Sequence, residues 1–107
     1  MDEILNTLSM VIGKNEAKIL IFLSKNEKGY SSEIEQDTKL RQPEASVATK
    51  NLLKLHLIGK KEVKNKGKGR PRYLFSMNES AKETLLKRVI EKEKIIIDIR
   101  KAINELF

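Results

Sequence analysis

The sequence predicts a mainly α-helical fold with one small β-hairpin (α+β), and three observations carry that prediction. Apolar residues recur at spacings of three and four over most of the chain, which marks helices with one buried face. Two short runs, 58–64 and 72–77, flank a loop of Asn65, Lys66, Gly67, Lys68, Gly69, Arg70 and Pro71, as in a hairpin with a long loop. Beyond Met77 a helix opening at Asn78 or Ser80 keeps one apolar seam at spacings of four and three as far as Leu106, so the last element is expected to be one long helix.

Composition narrows the classes of function. At 107 residues a single domain (1–107) with a modest core is expected, made of an N-terminal helix (1–13), a central unit (14–77) and a C-terminal helix (78–107). Without cysteine there is no disulfide framework, thiolate nucleophile or thiolate metal site. No apolar run approaches the roughly 20 residues that span a bilayer. The acidic start Met1-Asp2-Glu3 is unlike a secretory leader, so a cytoplasmic protein is expected. Abundant Lys, Glu and Ile without Cys or Trp is a thermophile-like composition.

The chain carries a net charge of +7, and its position matters more than its sum. Lys60, Lys61, Lys64, Lys66, Lys68, Arg70 and Arg72 stand against Glu62 alone, a local charge of +6. A merely solvated segment would mix acids among its bases, as residues 82–101 do. Basic residues gathered on one turn are the footprint of phosphate contact.

The elements follow in order. Ile4, Leu5, Leu8, Val11 and Ile12 form one face of a first helix that Gly13 stops. Asn15 is placed to cap a second helix over Glu16–Lys25, apolar enough to be the central core helix. Residues 26–30 break it, with Gly29 available for a positive φ. Ser31 or Ser32 is placed to cap a short helix ending near Thr38, and Ser32 with Glu35 has the spacing of a capping box. The next helix starts after Arg41, with Gln42 at or near the cap and Pro43 at the first helical position, where its fixed φ helps and its missing N–H costs nothing. Spacing turns Ala45, Ala48, Thr49, Leu52 and Leu55 or His56 inward. It leaves Gln42, Glu44, Ser46, Val47, Lys50, Asn51 and Lys54 outward. His56, the only histidine, falls where a left-handed residue ends a helix, a conformation histidine tolerates.

In the last helix Leu85, Val89, Lys92, Ile96, Ile99, Ile103 and Leu106 follow the spacing of a coiled-coil seam, broken only by Lys92. So small a domain cannot cover such a stripe, and self-association is expected through Leu85, Val89, Ile96, Ile99, Ile103 and Leu106.

Taken together, Arg41-Gln42-Pro43-Glu44-Ala45-Ser46-Val47-Ala48, then Leu52-Leu53-Lys54-Leu55-His56-Leu57-Ile58, then Gly69-Arg70-Pro71-Arg72-Tyr73 resemble the winged helix-turn-helix transcriptional regulators of the ArsR/MarR-like kind, small archaeal regulators included. The resemblance covers Asn15–Met77 and is followed by a dimerisation helix. It implies that the helix from Gln42 enters the major groove, with Gln42, Glu44, Ser46, Val47 and Lys50 as groove readers. It implies also that Lys64, Lys66, Lys68, Arg70 and Arg72 of the wing meet flanking backbone or minor groove. Thr49 and His56 stand where such families commonly carry leucine and glycine. The first is expected to loosen the core slightly and the second to tilt the following strand. The cysteine and histidine clusters of metal-sensing members are missing.

The expected partners are therefore double-stranded DNA and a second copy of the chain. No cofactor or metal is implied, no membrane contact is expected, and the sequence names no small-molecule effector. A protein-docking module, its basic wing on an acidic partner, is the competing expectation. Enzyme chemistry is disfavoured: with one histidine, the acids lie mostly along helices as solvated partners of lysine, and Glu33 and Glu35 do not share a helical face.

Overall fold

The computed structural model describes residues 2–64 and 72–107. Five helices and three strands follow one another among them. They are α1 (Asp2–Ile12), α2 (Lys14–Asn26), β1 (Lys28–Tyr30), α3 (Ser31–Thr38), α4 (Gln42–Lys54), β2 (Ile58–Val63), β3 (Arg72–Met77) and α5 (Ala81–Leu106). The strands form one antiparallel sheet in the order β1-β3-β2. No helix among the described residues is long and apolar enough to cross a membrane.

The core gathers on α2, as its density of apolar residues predicts. Ile19, Leu20 and Leu23 meet Ile34 of α3, Ala48 and Leu52 of α4, Leu57, and Phe75 of β3. Inward and outward positions on α4 follow the spacing rule. Ala45, Ala48, Thr49 and Leu52 are buried, Leu55 is half-buried and His56 is exposed. The buried Thr49 hydroxyl donates to the carbonyls of Ala45 (2.9 Å) and Ser46 (3.0 Å). Its polar group is thus satisfied rather than orphaned in the core.

Four local expectations need correction. Residues 28–30 are a third strand, and Gly29 is buried there without a positive φ. Its reason is space, because a Cβ at Gly29 would stand 2.5 Å from Cε2 of Phe22. Second, α2 begins at Lys14, with Gly13 (φ 105°) and not Asn15 at its cap. The Gly13 amide donates to Ser9 of α1 while its carbonyl accepts from Ala17 of α2. That backbone turns one helix into the next without a loop, and its positive φ favours glycine.

Third, β1 runs straight into α3, so the cap is Tyr30, and Oε1 of Glu33, not Glu35, accepts its amide at 2.9 Å. Fourth, Arg41 caps α4, which moves Gln42 to the first helical position and Pro43 to the second. Proline is still harmless there, since the first amides of a helix have no partner within it. Oε1 of Glu44 accepts the Arg41 amide at 3.0 Å.

His56 adopts the left-handed conformation expected of it (φ 60°) and turns the chain from α4 towards β2. Asn78 fastens this corner, donating its amide to Leu57 (3.0 Å) and its side-chain Nδ2 to the His56 carbonyl (2.8 Å).

α5 leaves the core early. Ala81 is buried and Leu85 packs against the core, but every residue from Glu91 to Phe107 is exposed. The radius of gyration, 17.0 Å, exceeds the roughly 13 Å of a compact chain of this length. An apolar groove lies between α1 and the start of α5, lined by Ile4, Leu8, Val11, Leu85, Leu86 and Val89.

Candidate nucleic-acid interface

The outward face of α4 is prepared by its own start. The Glu44 carboxylate closes the first turn on Arg41, so one of its oxygens serves the helix itself. A carboxylate at a helix N-terminus also meets the favourable end of the helix dipole. The other expected groove readers divide by direction. Gln42, Ser46 and Lys50 line a cleft of about 260 Å³ whose far wall is the sheet. Val47, 60% exposed, lies with Glu44, Pro43 and Ala48 beside Asn15 and Glu16 at the start of α2. The expected readers on α4 therefore form a row that faces the hairpin (Gln42, Ser46, Lys50) and an outer row that includes Val47.

Register decides which hairpin residues face that cleft. Lys60 pairs with Phe75, and Glu62 with Tyr73. Residues directly opposite share a face, so Lys60, Glu62, Tyr73 and the buried Phe75 are on the side of the sheet that looks towards α3 and α4. Lys60 and Tyr73 both line the cleft, with the Lys60 Nζ 4.4 Å from the centre of the Tyr73 ring.

Arg72 points to the other face of the sheet. It lies opposite Val63, and its guanidinium carbon stands 3.8 Å from the centre of the Tyr30 ring. Lys64 is exposed just beyond β2. The expected loop 65–71, with the contacts Lys66, Lys68 and Arg70, lies outside the described residues.

The structure thus brings together Gln42, Ser46 and Lys50 from one side, and from the other Lys60 and Tyr73, which the expected contacts omit. Lys60 was visible as part of the basic cluster. Its direction depends on the pairing of β2 with β3, which residue types alone do not state. Ile34, Ala45 and Phe75 are the buried apolar floor of the cleft, and Glu35 is an acid on its wall. Lysines and neutral polar groups on such a surface can meet a polyanion by charge and by hydrogen bonding. Among the described residues no group of three or more His, Cys, Asp or Glu stands together as a metal site.

No protein-family model and no curated protein matches the chain. Solved structures do match. A transcriptional regulator homologue from Pyrococcus horikoshii OT3 is 20% identical, with 92% of this chain and 98% of that one covered at a TM-score of 0.61. A PadR family transcription regulator from Clostridium difficile R20291 is 18% identical over 88% of this chain and 98% of that one, TM-score 0.55. ZitR, a zinc-responsive MarR family member from Lactococcus lactis, is 20% identical over 87% of this chain and 62% of that one, TM-score 0.53. At such identities the likeness speaks to architecture, and the architecture is the winged helix of the MarR and PadR regulators.

Proposed function

We propose that this chain is a sequence-specific double-stranded DNA-binding transcriptional regulator that acts as a homodimer on an inverted-repeat operator. One observation carries the reading: the row Gln42, Ser46 and Lys50 on α4 shares a cleft with Lys60 and Tyr73 of the hairpin. A groove-sized helix and a basic hairpin thus present one continuous surface, next to a segment of net charge +6. The major groove admits such a helix, whose small polar side chains approach base edges while lysines and arginines neutralise phosphates.

In this mechanism α4 reads bases through Gln42, Ser46, Val47 and Lys50, with Glu44 holding the first turn in shape. Lys64, Lys66, Lys68, Arg70 and Arg72 supply backbone and minor-groove contacts, and with them most of the salt-dependent affinity. The second copy is needed because the stripe from Leu86 to Leu106 is uncovered: Ile95, Ile96, Ile97, Ile99 and Ile103 are each half exposed or more. The groove between α1 and α5 continues that stripe. Two α5 helices, each about 39 Å long by helical rise, hold two reading heads. On one face of the duplex these engage half-sites about 34 Å apart.

A fluorescence-anisotropy titration tests the DNA reading. The protein is expected to hold a mixed-sequence duplex with an affinity that falls steeply between about 50 and 200 mM salt, and to hold particular sites more tightly. Failure to retain DNA, together with firm binding to polyglutamate, would instead make the hairpin a docking surface for acidic proteins.

A further inference from the structure

Lys60 occupies an unusual position for a surface lysine. It projects from β2 on the face that looks at α4, with its ammonium over the ring of Tyr73 on the neighbouring strand. An aromatic face attracts an ammonium through its quadrupole. It also restrains a side chain whose four-carbon stem is otherwise free to sample many rotamers. The contact leaves ammonium protons for another acceptor. The opposite wall of the cleft carries Lys50, one helical turn beyond Ser46. Between them Ile34, Ala45 and Phe75 are apolar, and the hydroxyls of Ser31 and Thr49 are neutral groups of the same lining. Glu35 is the one acid that lines the cleft with the two lysines, and Glu62, opposite Tyr73, is a second acid on the sheet face that bears Lys60.

Resting on the DNA-binding reading, we propose that this cleft seats one phosphate of the DNA backbone, held between Lys60 and Lys50, with Tyr73 as the positioning residue for Lys60. The two lysines come from different elements, the reading helix and the hairpin. A phosphate bridging them fixes the angle at which α4 lies in the groove relative to the hairpin. The contact therefore sets register and carries no base information of its own. Gln42 and Ser46, on the same wall as Lys50, are left to the bases beside it.

The test is a set of salt titrations of the full chain and its variants on a selected site and on a random duplex. Lys60→Ala is expected to weaken both equally and to lower the salt slope by about 1 per protomer. Tyr73→Phe keeps the ring and is expected to match the parent. Tyr73→Leu keeps apolar bulk without the ring; it is expected to weaken binding about 2- to 5-fold with the slope retained. Lys60 and Tyr73 are exposed, and circular dichroism confirms that each variant is folded.

An unchanged slope in Lys60→Ala, while the parent binds DNA, overturns the phosphate seat alone. A loss confined to one DNA sequence makes Lys60 a base reader and overturns it as well. Parental binding by Tyr73→Leu removes the positioning role. A parent that binds no DNA removes the DNA-binding reading and the seat together.

Discussion

Replacing Ile99 is expected to separate a pair of associated chains without unfolding either one. Ile99 is 52% exposed, in a segment where no residue from Glu91 to Phe107 is buried by the rest of the chain. Its side chain therefore contributes little to the stability of one copy. Burying an isoleucine completely yields about 1.5–3 kcal/mol, so covering the remaining half yields roughly 0.8–1.5 kcal/mol. In a two-fold dimer the residue counts twice. Ile99→Ala is then expected to weaken the dimer by roughly 2–3 kcal/mol, about 30- to 150-fold in dissociation constant. Ile99→Lys adds two charges without partners to the seam and is expected to leave a monomer at micromolar concentration. Sedimentation equilibrium gives the mass, and circular dichroism reports whether the helices persist. A parent that sediments as a monomer would refute the reasoning. So would an Ile99→Lys variant of unchanged mass, or one that loses its helices.

Three further substitutions test the fold that positions the site. Gly29→Ala pushes a methyl group towards the Phe22 ring, where the Cβ would lie 2.5 Å from Cε2. Overpacking of this kind is expected to cost about 1–3 kcal/mol in urea unfolding, and a neutral result would mean the strand yields freely. His56→Gly releases a left-handed residue (φ 60°) and is expected to stabilise the chain by up to about 1 kcal/mol, the relief of strain being offset by the freedom glycine loses; a lower melting temperature would contradict this. Glu44→Ala removes the carboxylate that closes α4 on Arg41 and is expected to cost about 1 kcal/mol, as loss of a cap does. Glu44→Gln, which keeps the acceptor, is expected to cost less, and equal losses in the two variants would mean the hydrogen bond matters little.

The long elements were legible because each imposes a period on its own residues. The buried positions of α2 and α4, the bounds of β3 and the left-handed turn at His56 follow from spacing and from local backbone chemistry. What escaped depends on partners distant in the chain. β1 has only Lys28, Gly29 and Tyr30, too few for an alternating pattern. It is a strand because β3 lies beside it and Phe22 occupies the space a side chain at Gly29 would need. That strand also moves the start of α3, which is why Glu33 caps it and not Glu35.

The same limit governs the candidate site. Helical spacing identified the outward face of α4 but not that Gln42, Ser46 and Lys50 turn to the hairpin while Val47 turns to α2. The basic cluster marked the hairpin. Only strand register separates Lys60, over the cleft, from Arg72, stacked on Tyr30 behind it.

The most direct test of the central claim is a selection of binding sites from random duplex DNA by the unmodified protein, sequenced after enrichment. Two reading heads joined by α5 predict an inverted repeat with half-site centres about 34 Å apart, one turn of the duplex. Enrichment of no motif would contradict sequence-specific binding, and a single unpaired half-site would contradict the dimer.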